Sequence, residues 1–587
     1  STPPYTSWQT AADSIQKCIN ICSFGDTVYV ANGVYKEQVI MIPGLSLIGA
    51  GMDSCVIDTR DLAITQNFKA LIITGNCLVS GFNFLISYTS DKGIGISGSG
   101  FVDSSSITLN RFTTGYEGVY LGGRPMIYKN SFIDVSIGIE FFNSTGKAIK
   151  NIFYMTSNSQ LAFTAAIYLQ AFDNSYYPII DSNYIVTYGV GIRKSIGTVP
   201  IISNNTIILK GRGSVGIDLD YSDSAFVYNN LIYAEKGVEG IYSLGLQHLF
   251  LTNNYISGNF HSDFQQYALS IDNNDIVKNN VISGTQRGVR AYATDSLVFQ
   301  YNNIWNNEIS YNGFTADSTN LSVDPMIVND DTANGELDFH LQKNSPLIDA
   351  GNPNILDRDG SRSDIGLYGG PLGESYKYID LAPRIPRNLT ALVDSNYITL
   401  NWNKNTEADT AFYKVYRDTV SGFQIDSTKL IGSPADTFFV QLNPHNVTRF
   451  VYKVTCVDKQ GNESEPSEEK VVIITGIDDY PYLVTDYQLY QNFPNPFNPS
   501  TTISYRLKER GYVKLYVYDI KGELVSVLVN KEQDAGFYQI DFSSSGIQHQ
   551  GSGIQNLASG VYIYQLLIKS EKNIPVFSDI KKMVYLK

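Results

Sequence analysis

Charged and tyrosine side chains recur at one position of a repeated pattern, directly after a small residue and an isoleucine or valine. If the isoleucine or valine points into a core, the residue after it on the same strand points outward. The predicted column comprises Tyr120, Glu140, Tyr168, Arg193, Asp218, Tyr242, Asp272 and Arg290. A second outward column, two residues further along, includes Phe142, Gln170, Asp220, Leu244, Asn274 and Tyr292. Carboxylates, guanidinium groups and tyrosines in one line could serve acid–base chemistry or sugar binding.

Two catalytic arrangements fit these residues. Asp218 and Asp272 are predicted to lie two strand spacings apart, about 9.6 Å. This is the upper edge of the carboxylate separation used in inverting glycoside hydrolysis. Alternatively, Arg193 or Arg290 could serve a polysaccharide lyase, with Asp218 and Asp220 holding a hard cation against an acidic sugar.

Non-catalytic interpretations need fewer assumptions. Arg193 beside Asp218, and Asp272 beside Arg290, would form cross-strand ion pairs that contribute roughly 0.2–1 kcal/mol each. A glycan strip would use aromatic rings that stack on sugars and side chains that bind hydroxyls and carboxylates. Its predicted residues are Tyr120, Tyr168, Asp220, Tyr242 and Tyr292. We favour ion pairs over a glycan strip, and either over catalysis.

One segment suggests a metal. Asp357, Asp359 and Asp364 supply alternating oxygens around Gly360, which is typical of a calcium loop. The twelfth-position glutamate of an EF-hand is absent, so a solvated turn is favoured over a structural Ca²⁺ site. The five cysteines have no metal-binding spacing, and we expect them to be small buried hydrophobes rather than disulfides. No other cofactor is expected.

The elements that would align these side chains are marked by asparagines at steps of 20 to 32 residues. They are Asn110, Asn130, Asn151, Asn183, Asn205, Asn230, Asn254, Asn280 and Asn303. Short β-branched and aromatic runs flank each one, which predicts strand, bend, strand. A period of this size predicts stacked repeats. Stacking would place the copies about 4.8 Å apart and align the amides in a hydrogen-bonded ladder.

This repeat resembles the right-handed parallel β-helix superfamily of pectate-lyase-like proteins over roughly residues 10–370. The resemblance implies an N-terminal cap segment at 1–24, a β-helix at 25–372, and substrate along the face of the third strand of each turn. The chain lacks the residue sets that resemble those of polygalacturonases or alginate epimerases, and most turns are short. The motifs therefore specify the fold better than the chemistry.

Two smaller modules follow a predicted linker at 373–385. Residues 386–475 resemble a fibronectin type III β-sandwich, with Trp402 in the core and Tyr452 on a late strand. Residues 476–587 resemble the type IX secretion sorting domain of outer-membrane bacteria, on the segments 489–503, 513–522, 557–564 and 581–587. This resemblance implies the type IX export machinery as a partner. The resemblance also implies that such a domain is commonly removed on export, so here it is either unprocessed or retained for a structural purpose such as subunit contact.

Composition narrows the function. A net charge of −14 and a pI near 4.9 argue against a nucleic-acid partner. No run approaches the 18 apolar residues of a transmembrane segment. The predicted fold is all-β, a right-handed parallel β-helix followed by two small β-sandwich domains. We expect a secreted, extracellular or cell-surface bacterial protein that is structural or adhesive, and that binds a polysaccharide or self-associates. The alternative is a secreted polysaccharide lyase or glycoside hydrolase acting on an acidic polysaccharide.

Overall fold

The chain folds into two compact units, Ser1–Asp380 and Leu381–Lys587. The computed structural model describes residues 5–62, 68–87, 93–155, 164–260, 266–330, 336–394, 397–443, 449–474, 486–544, 547–549, 552–555, 557–570 and 574–586. The first unit is a parallel β-solenoid of about ten turns, and the second contains small antiparallel sheets. The predicted all-β fold class is confirmed.

The solenoid has three parallel faces, each formed by strands that pair with their copies one turn away. Face A precedes the asparagine of each turn and has the strands Thr27–Val30, Ser46–Gly49, Leu78–Ser80, Ser106–Thr108, Met126–Tyr128, Lys147–Ile149, Ile179–Asp181, Ile201–Ser203, Ile276–Lys278 and Val298–Gln300. Face B follows the asparagine and has Gly33–Tyr35, Cys55–Asp58, Asn83–Leu85, Ile152–Met155, Tyr184–Thr187, Thr206–Leu209, Leu231–Gly237, Tyr255–Phe260, Val281–Ser283 and Asn303–Trp305.

Face C completes each turn. Its strands are Val39–Ile40, Lys69–Ile73, Ile94–Phe101, Ala165–Gln170, Val190–Lys194, Leu269–Ile271, Arg287–Ala291 and Ile309–Asn312. Four long strands turn a corner and so belong to two faces. Arg111–Gly123 and Ser131–Ser144 run from face B into face C, and Val215–Tyr228 and Glu239–Thr252 run from face C into face A.

A ladder of buried asparagines fixes the corner between faces A and B. Each Nδ2 donates to the Oδ1 of the next asparagine at 2.9–3.2 Å, and that Oδ1 also accepts a backbone N–H. The residue before each ladder asparagine has a left-handed φ of 51–58°. The side-chain bonds hold this otherwise unfavourable bend for residues as different as Leu109 and Lys129.

The predicted last member of the ladder was wrong by one residue. Asn302 continues the ladder, and its amide donates to Asn320 at 3.1 Å. The left-handed bend lies at Tyr301, so the residue after it points inward. Asn303 begins a strand of face B and bonds the backbone of Val323 at 2.9–3.0 Å.

The interior is apolar and continuous. Along face B, Phe84, Phe112, Phe132 and Phe153 stack with their ring centroids 4.7–5.0 Å apart and their planes within 8°. Isoleucines at positions 185, 207, 232, 256, 282 and 304 take the place of these rings in later turns, all fully buried. The N-terminal end is covered by helix Ile15–Ile19, which buries Ile15 and Ile19 and whose first amides donate to Glu37 at 2.9–3.0 Å.

Residues 321–330 and 336–380, the closing segment, fold back over one side of the solenoid. This segment includes the antiparallel strands Ile327–Asn329 and Asp338–Leu341. Phe339, Leu341, Leu347 and Ile365 pack on outward side chains of face B, namely Leu231, Tyr255 and Val281. The closing segment therefore covers part of a face rather than forming further turns.

In three turns, the asparagine that precedes the ladder member bonds the closing segment. In Asn253-Asn254, the second residue belongs to the ladder, whereas Asn253 Nδ2 donates to Asp364 O at 2.9 Å and Gly366 O at 3.1 Å. Asn229 Nδ2 donates to the carbonyls of Leu367 and Gly369, whereas Asn279 Oδ1 accepts the backbone N–H of Asn352. One bend thus supplies both an inner and an outer hydrogen-bonding position.

The second unit contains two sandwiches. In the first, a three-stranded and a four-stranded sheet enclose Trp402 and Tyr452. The three-stranded sheet consists of Thr390–Val393, Tyr397–Asn401 and Phe438–Leu442, and the four-stranded sheet consists of Leu430–Gly432, Thr410–Asp418, Arg449–Asp458 and Lys470–Ile473. This arrangement of three and four strands is fibronectin III-like.

The second sandwich also has a three-stranded and a four-stranded sheet. The first of these sheets consists of Gln488–Leu489, Ser500–Leu507 and Gly536–Ser543, and the second consists of Leu524–Gln533, Gly511–Asp519, Gly560–Lys569 and Pro575–Tyr585. A separate hairpin is formed by Ile547–His549 and Ser552–Gln555. The core of the second sandwich includes Leu515, Tyr505 and Tyr564. The Tyr397 hydroxyl of the first sandwich donates to Phe537 O of the second at 2.8 Å. Over the described residues, no helix has the length and apolarity needed to cross a membrane.

Candidate functional site

Face C carries the predicted line of charged and aromatic side chains. Strand pairing aligns one outward position from turn to turn, and we call this line the outer column. It consists of Tyr120, Glu140, Tyr168, Arg193, Asp218, Tyr242, Ser270 and Arg290. Residues that are far apart in the sequence are therefore neighbours about 4.8 Å apart.

Asp272 is not in the outer column, so its predicted place was wrong. Leu269, not Ile271, lies opposite Ile241 and Val289, and this places Ser270 between Tyr242 and Arg290. Asp272 lies beyond the strand, where its Oδ2 accepts the backbone N–H of Gly245 at 3.3 Å. The prediction that Asp272 lies directly beside Arg290 is therefore also wrong, because Ser270 lies opposite Arg290.

The centre of the outer column is an ion pair. Arg193 Nε lies 3.5 Å from Asp218 Oδ2, with the two side chains 30% and 14% exposed. The predicted pairing of these two residues is confirmed. Tyr168 and Tyr242 flank the pair on the adjacent turns.

Arg290 stands at one end of the column in an aromatic setting. Its guanidinium lies 4.4 Å from the ring centroid of Tyr292 and 6.0 Å from that of Tyr267. No described carboxylate comes within ion-pair distance of Arg290. A planar cation held against rings retains its donors for a ligand that carries carboxylates.

The other end is an aromatic ledge, formed by Tyr120, Phe142 and Phe172. The rings of Tyr120 and Phe142 stack 6.1 Å apart, and Phe172 meets Phe142 edge-on at 5.1 Å. Phe172 is 81% exposed, and its backbone N–H donates to Asn143 Oδ1 at 2.9 Å. Sequence reasoning missed Phe172 because it lies beyond the end of strand Ala165–Gln170.

Polar side chains lie beside the ledge. The amide of Gln170 donates to Glu140 Oε1, and the hydroxyl of Tyr168 donates to Gln170 Oε1 at 3.4 Å. Rings next to fixed donors and acceptors are the surroundings that a sugar ring requires. The Asp220 side chain lies outside the described residues; its backbone pairs with Leu244. Tyr292 is 42% exposed.

A carboxyl group that the sequence analysis missed lies beneath the column. Glu239 is 3% exposed, and burial raises its pKa to about 7. The hydrogen bond that Ser270 Oγ donates to Glu239 at 2.8 Å lowers the pKa and so opposes the effect of burial. Asp218 also raises the pKa of Glu239 and Arg290 lowers it. Glu239 pairs with Val215 on the neighbouring turn, and apolar residues are common at this position of the repeat. A charged residue at such a position is the sequence signal that could have identified Glu239.

The segment predicted to bind calcium is held by its own hydrogen bonds. Asp357 accepts the backbone N–H groups of Asp364 and Gly370, and Asp359 accepts from Ser361 at 2.6 Å. Asp364 accepts from the Tyr378 hydroxyl at 2.8 Å, and burial raises the pKa of Asp364 to about 6. Across the described residues, no three His, Cys, Asp or Glu side chains are grouped to hold a metal. Calcium at this loop stays a prediction.

Comparisons with known proteins connect different parts of the chain to different proteins. Residues 154–330 match the family model described as periplasmic copper-binding protein (NosD). An amylopullulanase of Thermoanaerobacterium saccharolyticum is 32% identical over 90 residues, which are 15% of this chain and 7% of that protein. The chain thus spans a small fraction of this relative.

Solved structures match the chain over short stretches. A Fn3-like protein from Clostridium thermocellum is 25% identical and covers 16% of this chain and 95% of its own, with a TM-score of 0.14. The spore cortex lytic enzyme SleM of Clostridium perfringens is 21% identical over 18% of this chain and 32% of its own, with a TM-score of 0.13. Scores this low leave the sandwiches to be identified by their own strand order. The solenoid at 154–330 is similar to a family of right-handed β-helices.

Proposed function

We propose that this chain is an exported, non-catalytic β-helical protein that binds an acidic glycan along face C. The observation that carries the proposal is the continuity of the outer column, from an exposed aromatic ledge at Phe172 to the ring-stacked cation Arg290. The column spans seven strand spacings, about 34 Å. A chain of sugars is long enough to contact both ends at once.

The physical chemistry of the two ends is complementary. The ledge offers ring faces to the apolar faces of sugars. Arg290 and the Arg193–Asp218 pair offer charged donors to carboxylates and hydroxyls. The name of the matching amylopullulanase supports a carbohydrate-related role, and the periplasmic family supports export.

The proposal also covers where the protein is exported and whether it self-associates. Residues 476–587 are proposed to be a retained type IX sorting domain, which would bring the protein to the outer-membrane surface or beyond. There the solenoid would serve in adhesion or self-association. Detecting the protein on intact cells, and its loss from the surface when residues 476–587 are deleted, would test this part.

Copper binding is not part of the proposal, because the residues do not fit. The matched stretch 154–330 contains two histidines, two methionines and no cysteine. Met155 and Met326 are buried, and His248 Nδ1 lies 3.2 Å from the carbonyl of Asn274. Copper sites need several soft or imidazole ligands together, and the described residues provide no such group.

Affinity electrophoresis in gels containing pectate or alginate tests glycan binding. We expect Phe172→Ala and Arg290→Ala each to weaken retardation about tenfold, and the Arg290 effect to shrink at high salt. Tyr29→Ala, which removes a 66% exposed tyrosine from face A, is the matched control. Equal retardation of all three variants, or none for the wild type at low salt, would reject the proposal.

A lyase or hydrolase remains the second candidate because of one observation, the raised pKa of Glu239 next to Asp218. A carboxyl with a raised pKa close to a second carboxyl is a catalytic pattern. However, Glu239 is 3% exposed and does not reach the surface where a sugar would lie. Unsaturated or reducing ends released from uronate polymers, with or without calcium, and abolished in both Glu239→Gln and Asp218→Asn, would establish this candidate instead.

A further inference from the structure

The closing segment leaves part of face B uncovered, and this part is separate from the outer column on face C. Next to the closing segment, outward side chains of four consecutive turns line a groove of about 430 Å³. The groove is lined by Tyr154, Tyr184, Tyr188 and Tyr233, with Leu337 of the closing segment at its rim. Three strand spacings give it a length of about 14 Å.

Strand alternation produces this concentration of tyrosines. Ile185 and Thr187 point into the solenoid, so Tyr184 and Tyr188 on either side of them point out. Tyr154 and Tyr184 meet edge-on, with ring centroids 6.3 Å apart. Tyr154, Tyr184 and Tyr188 are 46%, 41% and 40% exposed. Within the described part of the chain, the hydroxyls of these three tyrosines form no hydrogen bond and so are available to a ligand.

The polar side of the groove carries no net positive charge. Lys210 Nζ lies 3.0 Å from Glu235 Oε1, so the cation is already paired. The negative charges of Glu235 and Glu336 also act on Tyr184. The groove therefore offers fixed donors and acceptors without the excess positive charge that would attract a uronate.

We propose that this tyrosine groove is a second ligand site, which binds a neutral oligosaccharide. Tyrosine rings stack on the apolar faces of sugars, and phenol, ammonium and carboxylate groups bond sugar hydroxyls. The volume lies in the range of small-ligand pockets. The site is separate from face C and does not depend on the function proposed for that face.

The covered part of face B argues against a protein occupant. At the positions in register with Tyr184, the chain has Leu231, Tyr255 and Val281 under the closing segment. These side chains are at most 8% exposed and pack on apolar residues such as Phe339 and Leu347. Where a polypeptide covers face B, the outward side chains are buried against apolar residues. The uncovered turns instead leave a groove whose tyrosines stay exposed.

Calorimetric titration of the full chain with maltohexaose, cellohexaose, xylohexaose and chitohexaose tests the site, with an oligogalacturonate as the acidic probe. At least one neutral sugar should bind. Tyr184→Ala should weaken that binding about three- to tenfold, and Tyr154→Ala/Tyr184→Ala more. Tyr184→Phe should retain most affinity, because the ring remains. Tyr29→Ala, which lies in neither site, should bind the neutral sugar as the wild type does.

The outcomes separate the two sites. Loss of neutral binding in the groove variants, with acidic binding intact, supports the groove whether or not face C binds a glycan. Two results overturn the proposal: no neutral sugar binds, or binding is unchanged in Tyr154→Ala/Tyr184→Ala. A third contrary result is a dimer in sedimentation velocity that Tyr184→Ala dissociates, which would assign the groove to a second copy of the chain.

Discussion

The asparagine ladder and the outer column are both lines of residues in register, and they obey different constraints. Ladder members such as Asn205 and Asn230 are fully buried, and each side chain bonds its neighbours on both sides. Six of the eight members of the outer column are partly exposed, whereas Glu140 and Ser270 are buried. The residue type changes from turn to turn, for example from tyrosine to arginine to aspartate. The buried position accepts only asparagine at each turn, because an unmade hydrogen bond there is costly. A surface position accepts many residue types, so its residue can be selected for function.

Replacing a ladder asparagine should have the largest effect. Asn205→Ala removes bonds to Ile180 O, Ser203 O and Asn230 Oδ1. It also leaves the backbone N–H of Asn183 without its acceptor and removes one of the bonds of Asn183 Nδ2. Each buried group left unsatisfied costs about 1–3 kcal/mol, so we expect a loss of at least about 3 kcal/mol. Urea unfolding would measure it. Asn204→Gly, at the exposed neighbouring bend, is the control, and a loss below about 1 kcal/mol in Asn205→Ala would contradict the ladder's role.

Protonation of Glu239 should give the next largest effect. Folded Glu239 keeps its proton up to a pH of about 7, whereas the unfolded chain loses it near the ordinary pKa of 4.5. The folded state therefore binds more protons between these values. The stability that this proton provides is full below pH 4.5 and is lost as the pH rises through 7. The loss is at most about 3 kcal/mol.

Unfolding free energies at pH 5 and pH 8 check this prediction. Glu239→Gln stays neutral, so its stability should fall less than that of the wild type over this range. Glu308→Gln, at an exposed position, should follow the wild type. A wild-type decline that Glu239→Gln leaves unchanged would assign the pH dependence to other groups.

The outer position of the asparagine pairs should matter locally. Asn253→Gly keeps the left-handed bend, since glycine adopts it freely. The substitution removes the bonds to Ser363, Asp364 and Gly366. We expect hydrogen exchange in the closing segment to correspond to an opening free energy lower by about 1–3 kcal/mol. Asn204→Gly loses only a bond to Asp181, away from this segment. Equal exchange in both variants would show that packing alone holds the segment.

The smallest effect on stability should come from the outer column itself. Arg193→Ala breaks the pair with Asp218, and partly exposed cross-strand pairs contribute less than about 1 kcal/mol. The same variant should weaken binding of an acidic glycan much more than it weakens folding. Thermal unfolding and affinity electrophoresis on one preparation would compare the two. A stability loss similar to that of Asn205→Ala would make the column structural.

The two register errors have one origin. Asn303 and Asp272 were each placed from the local pattern, and in each case a nearby residue takes the predicted position. Asn302, one residue earlier, belongs to the ladder, and Ser270, two residues before Asp272, belongs to the outer column. Consecutive asparagines, and apolar residues two apart on a strand, satisfy the pattern equally well. Only the pairing with the turns on either side chooses between them. A shift of this kind changes which side chain reaches the surface.

The sequence by itself determined the stacked turns, the interior and the ladder, because burial imposes the same few residue types at every turn. The tertiary structure alone decided which part of face B the closing segment covers, that Glu239 lies beneath the column and bonds Ser270, and that side chains from four turns form one groove. These features depend on contacts between residues tens to more than a hundred positions apart. Such contacts leave no periodic signal, because each is made once.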